Sequence, residues 1–407
     1  MSGSSSLDRR EFLQAGAMAT AAAASLAGAT APAQAAAQEA REQVSKNKPV
    51  LPTRVLGKTG AKVTILNKGT VNQPAALDRL LRVAFREGVR YFDTAAGYGT
   101  AEITFSQWFE AEPDVRKQIF LATKSGARSH GDLLKQVDNR LKRLKVDHID
   151  LLFFHGLGSN QVDWPKSKAM KEESEAIKKT GKVSFVGFTT HDRMIAEQIQ
   201  AAADGGFIDV IMLKFSPWIE KDSALNKALD ACAKKNIGLV SMKQINGQWR
   251  PATEKHIPTL KERNLTAVQG LLHAIWTDER FTSACVTMNN GDQTMENVDA
   301  ARRFEPLKLS ELDELRAAVL ASGPTLCPNC DGRCSRAAGT KALLGDLARI
   351  YTYHEDNGIR AHARECYAEL AAEDRDWSGA DLEAAREACH NKIDFASILP
   401  ELDRLLG

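Results

Sequence analysis

This 407-residue chain is short of three things: an excess of charge of either sign, long apolar runs, and cysteine. Its 54 basic side chains face 52 acidic ones, so there is no net field to attract a phosphate backbone, and nucleic acid is not an expected partner. Beyond the first forty residues no stretch approaches the ~20 consecutive apolar residues of a spanning helix, which excludes a polytopic membrane protein and a span in the mature chain. Seven cysteines cannot build a dense disulfide framework here, and the odd number leaves at least one thiol unpaired within the chain. What is present is an ordinary globular mixture, 43% hydrophobic and 26% charged, sufficient for a large buried core.

The first 45 residues differ from the rest. A Ser-rich start leads into DRREFLQ (Asp8 to Gln14) and then into an uncharged Ala-rich stretch from Ala15 to Ala37. The adjacent Arg9 and Arg10, followed by Phe12, Leu13 and a mildly apolar segment, look like a twin-arginine export signal. Small-residue cleavage patterns fall at Ala31, Pro32, Ala33 and at Ala33, Gln34, Ala35. The expected organisation is a signal peptide over 1–35, a linker over 36–49, a barrel over 50–306 and a helical extension over 307–407. The mature protein is expected in the periplasm, delivered there by the twin-arginine export machinery.

From Val50 to Phe304 short apolar runs alternate with amphipathic ones. The spacing predicts strands at Ile65 to Thr70, Arg90 to Thr94, Ile119 to Thr123, Ile149 to His155, Val183 to Thr189, Val210 to Phe215, Leu239 to Met242 and Cys285 to Met288. Helical patterns lie between them at Ala75 to Glu87, Gly131 to Leu144, Glu173 to Lys179, Ile195 to Ala203 and Ser223 to Lys235. Repeated strand-then-helix implies parallel strands with crossovers, and about eight strands in roughly 250 residues predicts an α/β fold, a closed (β/α)8 TIM barrel. An open doubly wound sheet is disfavoured because no GxGxxG turn follows the first strand. Arg54 to Val63, with LGKTG between apolar pieces, reads as an N-terminal hairpin.

In such a barrel, polar residues at the carboxyl ends of strands are the candidates for chemistry. Four stand out: Asp93 at the end of the second strand, Tyr98 in the following DTAAGYG loop, Lys124 in LATK, and His155 in LLFFHG. A phenol with a pKa near 10 is a poor acid catalyst unless a cation stabilises its phenolate. Lys124 would be that cation, with Asp93 keeping it charged and oriented and His155 donating a hydrogen bond to a substrate carbonyl.

Taken together, LGKTG, GVRYFDTAAGYGTAE, FLATK, DLLFFH, GKVSFVGFTTH and MNNGDQTMEN resemble the aldo-keto reductase superfamily from about Arg54 to Leu315. The resemblance implies that Tyr98 protonates a carbonyl oxygen while a nicotinamide, NADP(H) or NAD(H), donates hydride to carbon. It also implies that Gly69 and Thr70 line the cofactor groove and that Glu296 and Asn297 hold its adenine end. Several places depart from the family pattern, Lys68 beside the first strand's glycine among them. Thr189 and Thr190 replace the usual Ser-Asn pair that holds the carboxamide. Met212 stands where a Gln is common, and a thioether cannot replace a two-way hydrogen-bonder. Gln293 stands where an Arg often pairs with a 2′-phosphate, which weakens the case for NADP over NAD.

After Leu307 helical patterns take over, at Ser310 to Ala321, Thr340 to Tyr353, His362 to Ala371 and Asp381 to Cys389. Between the first two, LCPNCDGRC places Cys327, Cys330 and Cys334 in a CxxCxxxC loop of the kind that wraps a metal or cluster. This all-helical tail resembles the ferredoxin-like extension of one aldo-keto reductase branch, in which two cysteine motifs bracket a helical stretch. The second motif, EACHNKIDFASILP, keeps Cys389, while Lys392, Phe395 and Leu399 stand where further cysteines belong. One 4Fe-4S cluster can still be served, with Cys389 as fourth thiolate or Cys366 or His390 in its place. Zinc, or a vestigial loop with free or disulfide-bonded thiols, are the alternatives. Cys232 and Cys285 read as buried small hydrophobes.

The expected function is that of an exported reductase acting on a small carbonyl or alcohol substrate, with a redox partner if the tail holds a cluster. The alternative is a catalytically lapsed barrel serving as a periplasmic binding or electron-transfer protein. Apolar and aromatic residues at Phe215 to Trp218 and Asn246 to Trp249 either line a substrate pocket or pack loops on the barrel rim.

Overall fold

The computed structural model describes residues 51–71, 76–219, 221–244, 257–321, 327, 332–355, 360–389 and 391–407. The expected signal peptide and linker, Cys330, His390 and the Asn246 to Trp249 loop lie outside the described residues.

The chain opens with an antiparallel hairpin, β1 (Thr53–Val55) and β2 (Lys62–Thr64). Eight parallel strands follow: β3 (Leu66–Gly69), β4 (Tyr91–Asp93), β5 (Phe120–Ser125), β6 (Ile149–Phe154), β7 (Val183–Thr190), β8 (Val210–Lys214), β9 (Gly238–Met242) and β10 (Phe281–Thr287). They pair in chain order, and β10 closes the ring against β3. This is the (β/α)8 barrel that the alternation predicts. No described helix is long and apolar enough to cross a membrane.

Strand periodicity sorts the barrel into two cores. Tyr91, Ala122, Phe153, Val210, Met212 and Val240 fill the interior, and Leu56 and Val63 of the hairpin plug it from below. The alternate residues, among them Phe92, Leu121, Leu152, Phe154 and Ile211, pack outward against the helices. The plug needs glycine at its corner. Gly57 has φ +52°, and a Cβ there would lie 2.3 Å from the backbone N of Gly238.

The last strand starts four residues earlier than Cys285, because buried hydroxyls in it are satisfied: Ser283 Oγ donates to Thr64 O at 2.9 Å. The helix Ala267–Thr277 escapes the periodicity because it is buried on almost every side and shows no polar face. Between the helices Ala101–Ala111 and Asp132–Leu144, the buried carboxylate of Glu102 accepts from Arg140 at 2.7 Å, Arg143 at 3.0 Å and Thr123 at 2.8 Å.

The tail has its own hydrophobic core, drawn from the helices Leu344–Glu355, Arg360–Glu369, Leu382–Ala388 and Phe395–Leu406. The last of these was not expected, since it contains Pro400. Phe395 and Leu399 are 1% and 0% exposed, so two positions where the resemblance places cysteines are occupied by core side chains.

Candidate active site

The inward face of each strand ends at the carboxyl mouth of the barrel, and that is where the charged groups emerge. Tyr91 and Asp93 share one face of β4, and Ala122 and Lys124 the facing side of β5, with Asp93 in register with Ala122. The register leaves Lys124 one step above Asp93, and its ammonium donates to Asp93 Oδ1 and, at 3.0 Å, to Thr94 O. Both side chains are almost fully buried, at 1% and 3% exposure. Lys124 Nζ also lies 5.0 Å from the centroid of the Tyr98 ring. Tyr98 meets the His155 ring edge-on at 5.6 Å between centroids. All four residues expected to act together are brought together.

Their charge states follow from burial set against neighbouring charge. Burial pulls the Lys124 ammonium down, but Asp93 and the other groups around it outweigh that loss and hold it above its ordinary value. Burial raises the Asp93 carboxyl and the Tyr98 phenol, and in each case the Lys124 charge opposes it without cancelling it. His155 is driven down to about 3 by burial first and then by Lys124 and Lys243, so it is a neutral imidazole at ordinary pH. A cavity of about 450 Å³, lined by Gly126, Arg128, Asp132 and Lys135 among others, opens onto His155.

The expected cofactor positions divide into two groups. Gly69 ends β3 against β10, where a Cβ would lie 3.0 Å from Cys285 Sγ, and Thr70 Oγ1 donates to Asp93 O at 3.0 Å. Thr189 Oγ1 accepts from Gly156 N at 2.8 Å, Thr190 Oγ1 donates to Gln198 Oε1, and Met212 is 1% exposed inside the barrel. Gln293, Glu296 and Asn297 lie on the helix Gly291–Arg302, capped by Asn290. The Gln293 side chain accepts from Asn289 N at 2.7 Å, and Glu296 from Thr266 Oγ1 at 2.6 Å. Asn297 is buried, and among the described residues its Oδ1 has no hydrogen-bond partner.

In the tail, Cys327, Cys334 and Cys389 belong to one apolar cluster. Burial, with the charges of the other two, pushes the Cys334 thiol up to about 12. Among the described residues no group of three His, Cys, Asp or Glu side chains is arranged to hold a metal ion. Cys366 packs against the same cluster, its thiol raised by burial, with the Lys243 and Arg349 charges opposing that rise. Phe215 and Trp218 pack into the outer core, Phe215 stacked on Phe281 at 3.9 Å, which favours the packing alternative for that loop.

Sequence reasoning missed several groups at the mouth. Lys214 ends β8, Lys243 follows β9, and Arg349 and Tyr353 reach the same region from the tail helix Leu344–Glu355. Burial lowers Lys214 to about 8 and Lys243 to about 7, and the Arg349 charge adds to both shifts. A lysine at the end of VIMLK was a legible signal of the same kind as Lys124; nothing local marked Arg349.

Fold and site define a (β/α)8-barrel protein with its ionisable groups gathered at the carboxyl face of the strands. The sequence matches the Aldo/keto reductase family over residues 60–314, and the chain belongs to that family of oxidoreductases. It is 28% identical over 304 residues to the L-galactose dehydrogenase of Arabidopsis thaliana, covering 65% of this chain and 93% of that protein. It is 23% identical over 319 residues to the L-glyceraldehyde 3-phosphate reductase of Escherichia coli O157:H7, covering 64% of this chain and 91% of that protein. With the D-threo-aldose 1-dehydrogenase of Pseudomonas sp it shares 23% identity over 199 residues, 41% of this chain and 59% of that protein.

Proposed function

We propose that this chain is an exported, nicotinamide-dependent reductase that interconverts a small aldose or aldehyde and its reduced or oxidised partner, with Tyr98 as proton donor. The observation that carries the reading is the convergence of Tyr98, Lys124, Asp93 and His155 at one end of the barrel. The relatives, named for L-galactose, L-glyceraldehyde 3-phosphate and aldose, support a carbohydrate-sized carbonyl compound.

Bound NADP(H) or NAD(H) would supply or accept hydride. The residues around the mouth fit such a group on its adenine side, where Asn297 Oδ1 is buried and has no hydrogen-bond partner among the described residues. They offer less to a carboxamide: Thr189 and Thr190 already bond to the protein, and Met212 brings no hydrogen bond. Gln293, turned to the Asn289 amide, presents no cation to a 2′-phosphate, so that position does not select NADP(H).

The chain's own part is proton management. Neutral His155 donates one N–H to the carbonyl oxygen and so polarises and orients it. Tyr98, kept protonated by burial, delivers its proton to the alkoxide that develops, a far stronger base than phenolate. The Lys124 ammonium stabilises the phenolate left behind, and Asp93 fixes that ammonium in place.

The test is titration of the purified chain with NADPH and NADH, followed by turnover of glyceraldehyde and L-galactose. No binding of either nucleotide would sink the reductase reading but not the fold. Binding without turnover of any carbonyl compound would favour a lapsed barrel, the reading to which Met212 and the engaged threonines lend support.

Export rests on the Arg9, Arg10 signal, and its test is retention of the Arg9→Lys plus Arg10→Lys chain in the cytoplasm. A single 4Fe-4S cluster held by Cys327, Cys330, Cys334 and Cys389 is the reading supported by the CxxCxxxC spacing alone. It would add electron relay to a redox partner. Colourless, iron-free protein after anaerobic purification rejects it.

A further inference from the structure

We propose that the carbonyl compound taken by this site carries a phosphate group, held between the barrel mouth and the tail by Lys214, Lys243 and Arg349. The inference rests on the reductase reading and names its substrate class.

Lys214 follows Val210 and Met212 on the inner face of β8, so its side chain rises from the barrel interior into the mouth. It is 2% exposed, and among the described residues its Nζ has no hydrogen-bond partner. Arg349 comes from the tail helix and is 6% exposed; it is paired with Asp346, but its Nε and Nη1 are unpartnered. Lys243, half-buried and held at φ +58°, places its Nζ 5.9 Å from the ring of Tyr353, one turn from Arg349 on the same helix.

The three cations act on His191 together, and Lys243 acts on His155, so the cluster adjoins the catalytic group. The acids nearby are committed. Asp346 pairs with Arg349, and Asp192 accepts from Ser159 Oγ and from Met194 N. Buried donors left without acceptors are costly, and a phosphate offers oxygens to Lys214 Nζ and to Arg349 Nε and Nη1. One of the three comes from the tail, which makes the extension part of the substrate site.

A phosphate could belong to the substrate or to the dinucleotide, and the experiment separates them. It uses the full chain, the variants Lys214→Gln, Arg349→Gln and Arg349→Lys, and the exposed Lys227→Gln as control. Calorimetric titration with inorganic phosphate, without nucleotide, reads the site independently of turnover. Binding is expected to weaken by about tenfold or more in Lys214→Gln and Arg349→Gln, to recover in Arg349→Lys, and to be unchanged in Lys227→Gln. The ratio of kcat/KM for glyceraldehyde 3-phosphate over glyceraldehyde is expected to fall by about tenfold or more in the first two variants. Absence of phosphate binding, or equal binding in every form, overturns the proposal; the cations then serve the thiols of the tail. Weaker NADPH binding with an unmoved substrate ratio assigns the cations to the dinucleotide and also overturns it. Phosphate binding lost in the variants, with no turnover by any form, upholds the anion site and removes the reductase reading instead.

Discussion

Lys124 lies between two partners of opposite use: its ammonium is paired with Asp93 on the neighbouring strand and stands 5.0 Å from the centre of the Tyr98 ring. One cation is thus anchored by a carboxylate and directed at a phenol. Removing the phenol's oxygen leaves this pair intact. Tyr98→Phe is expected to lower kcat by roughly a hundred to ten-thousandfold while nucleotide affinity holds, as steady-state kinetics and a nucleotide titration would read.

A second expectation concerns acid. His273 is 1% exposed, with Nε2 2.9 Å from Ala300 O, and burial above all pulls it down to about 4. The unfolded chain takes up a proton near pH 6.5, which the folded chain refuses until about 4. Stability from this group is therefore complete above pH 6.5 and is lost as pH falls toward 4, at up to about 1.4 kcal/mol per pH unit. Denaturation curves across that window should be less steep in pH for His273→Gln than for the parent; equal slopes would remove His273 as the cause.

Glu102 is 1% exposed and binds two arginines at once. Glu102→Ala would strand the buried Arg140 without its counter-charge, and a loss of about 3–5 kcal/mol in unfolding free energy is expected from urea titration.

Met212 offers a test of the nicotinamide side. A glutamine in that apolar interior buries an amide without a partner and is expected to cost about 1–3 kcal/mol in the nucleotide-free chain. If the ring of a bound dinucleotide reaches this position, saturating NADPH should restore more thermal stability to Met212→Gln than to the parent.

Much of this was legible along the chain. Short β-branched runs spaced by amphipathic stretches marked eight strands, and the polar residues at the carboxyl ends of three of them, with the tyrosine in the loop after the second barrel strand, marked the candidate site. The failures are just as physical. Ser283 and Thr282 hid the start of β10 because hydroxyls that find carbonyls can be buried as readily as valine. The helix Ala267–Thr277 has no exposed face, so no amphipathic period could show it. Phe395 and Leu399 looked like lost ligands, whereas they fill a second core.

What the sequence alone determined is the period of two that sends Tyr91, Asp93, Ala122, Lys124 and Lys214 to the inside of a ring, because side-chain direction in a strand is a local property of the backbone. What only the tertiary structure decided is which distant groups share that mouth. Arg349 and Tyr353 stand more than a hundred residues beyond Lys214 and Lys243, and no local pattern records their meeting. It arises from the packing of two cores, each of which buries its own apolar surface and thereby fixes where the charged ends of the other must lie.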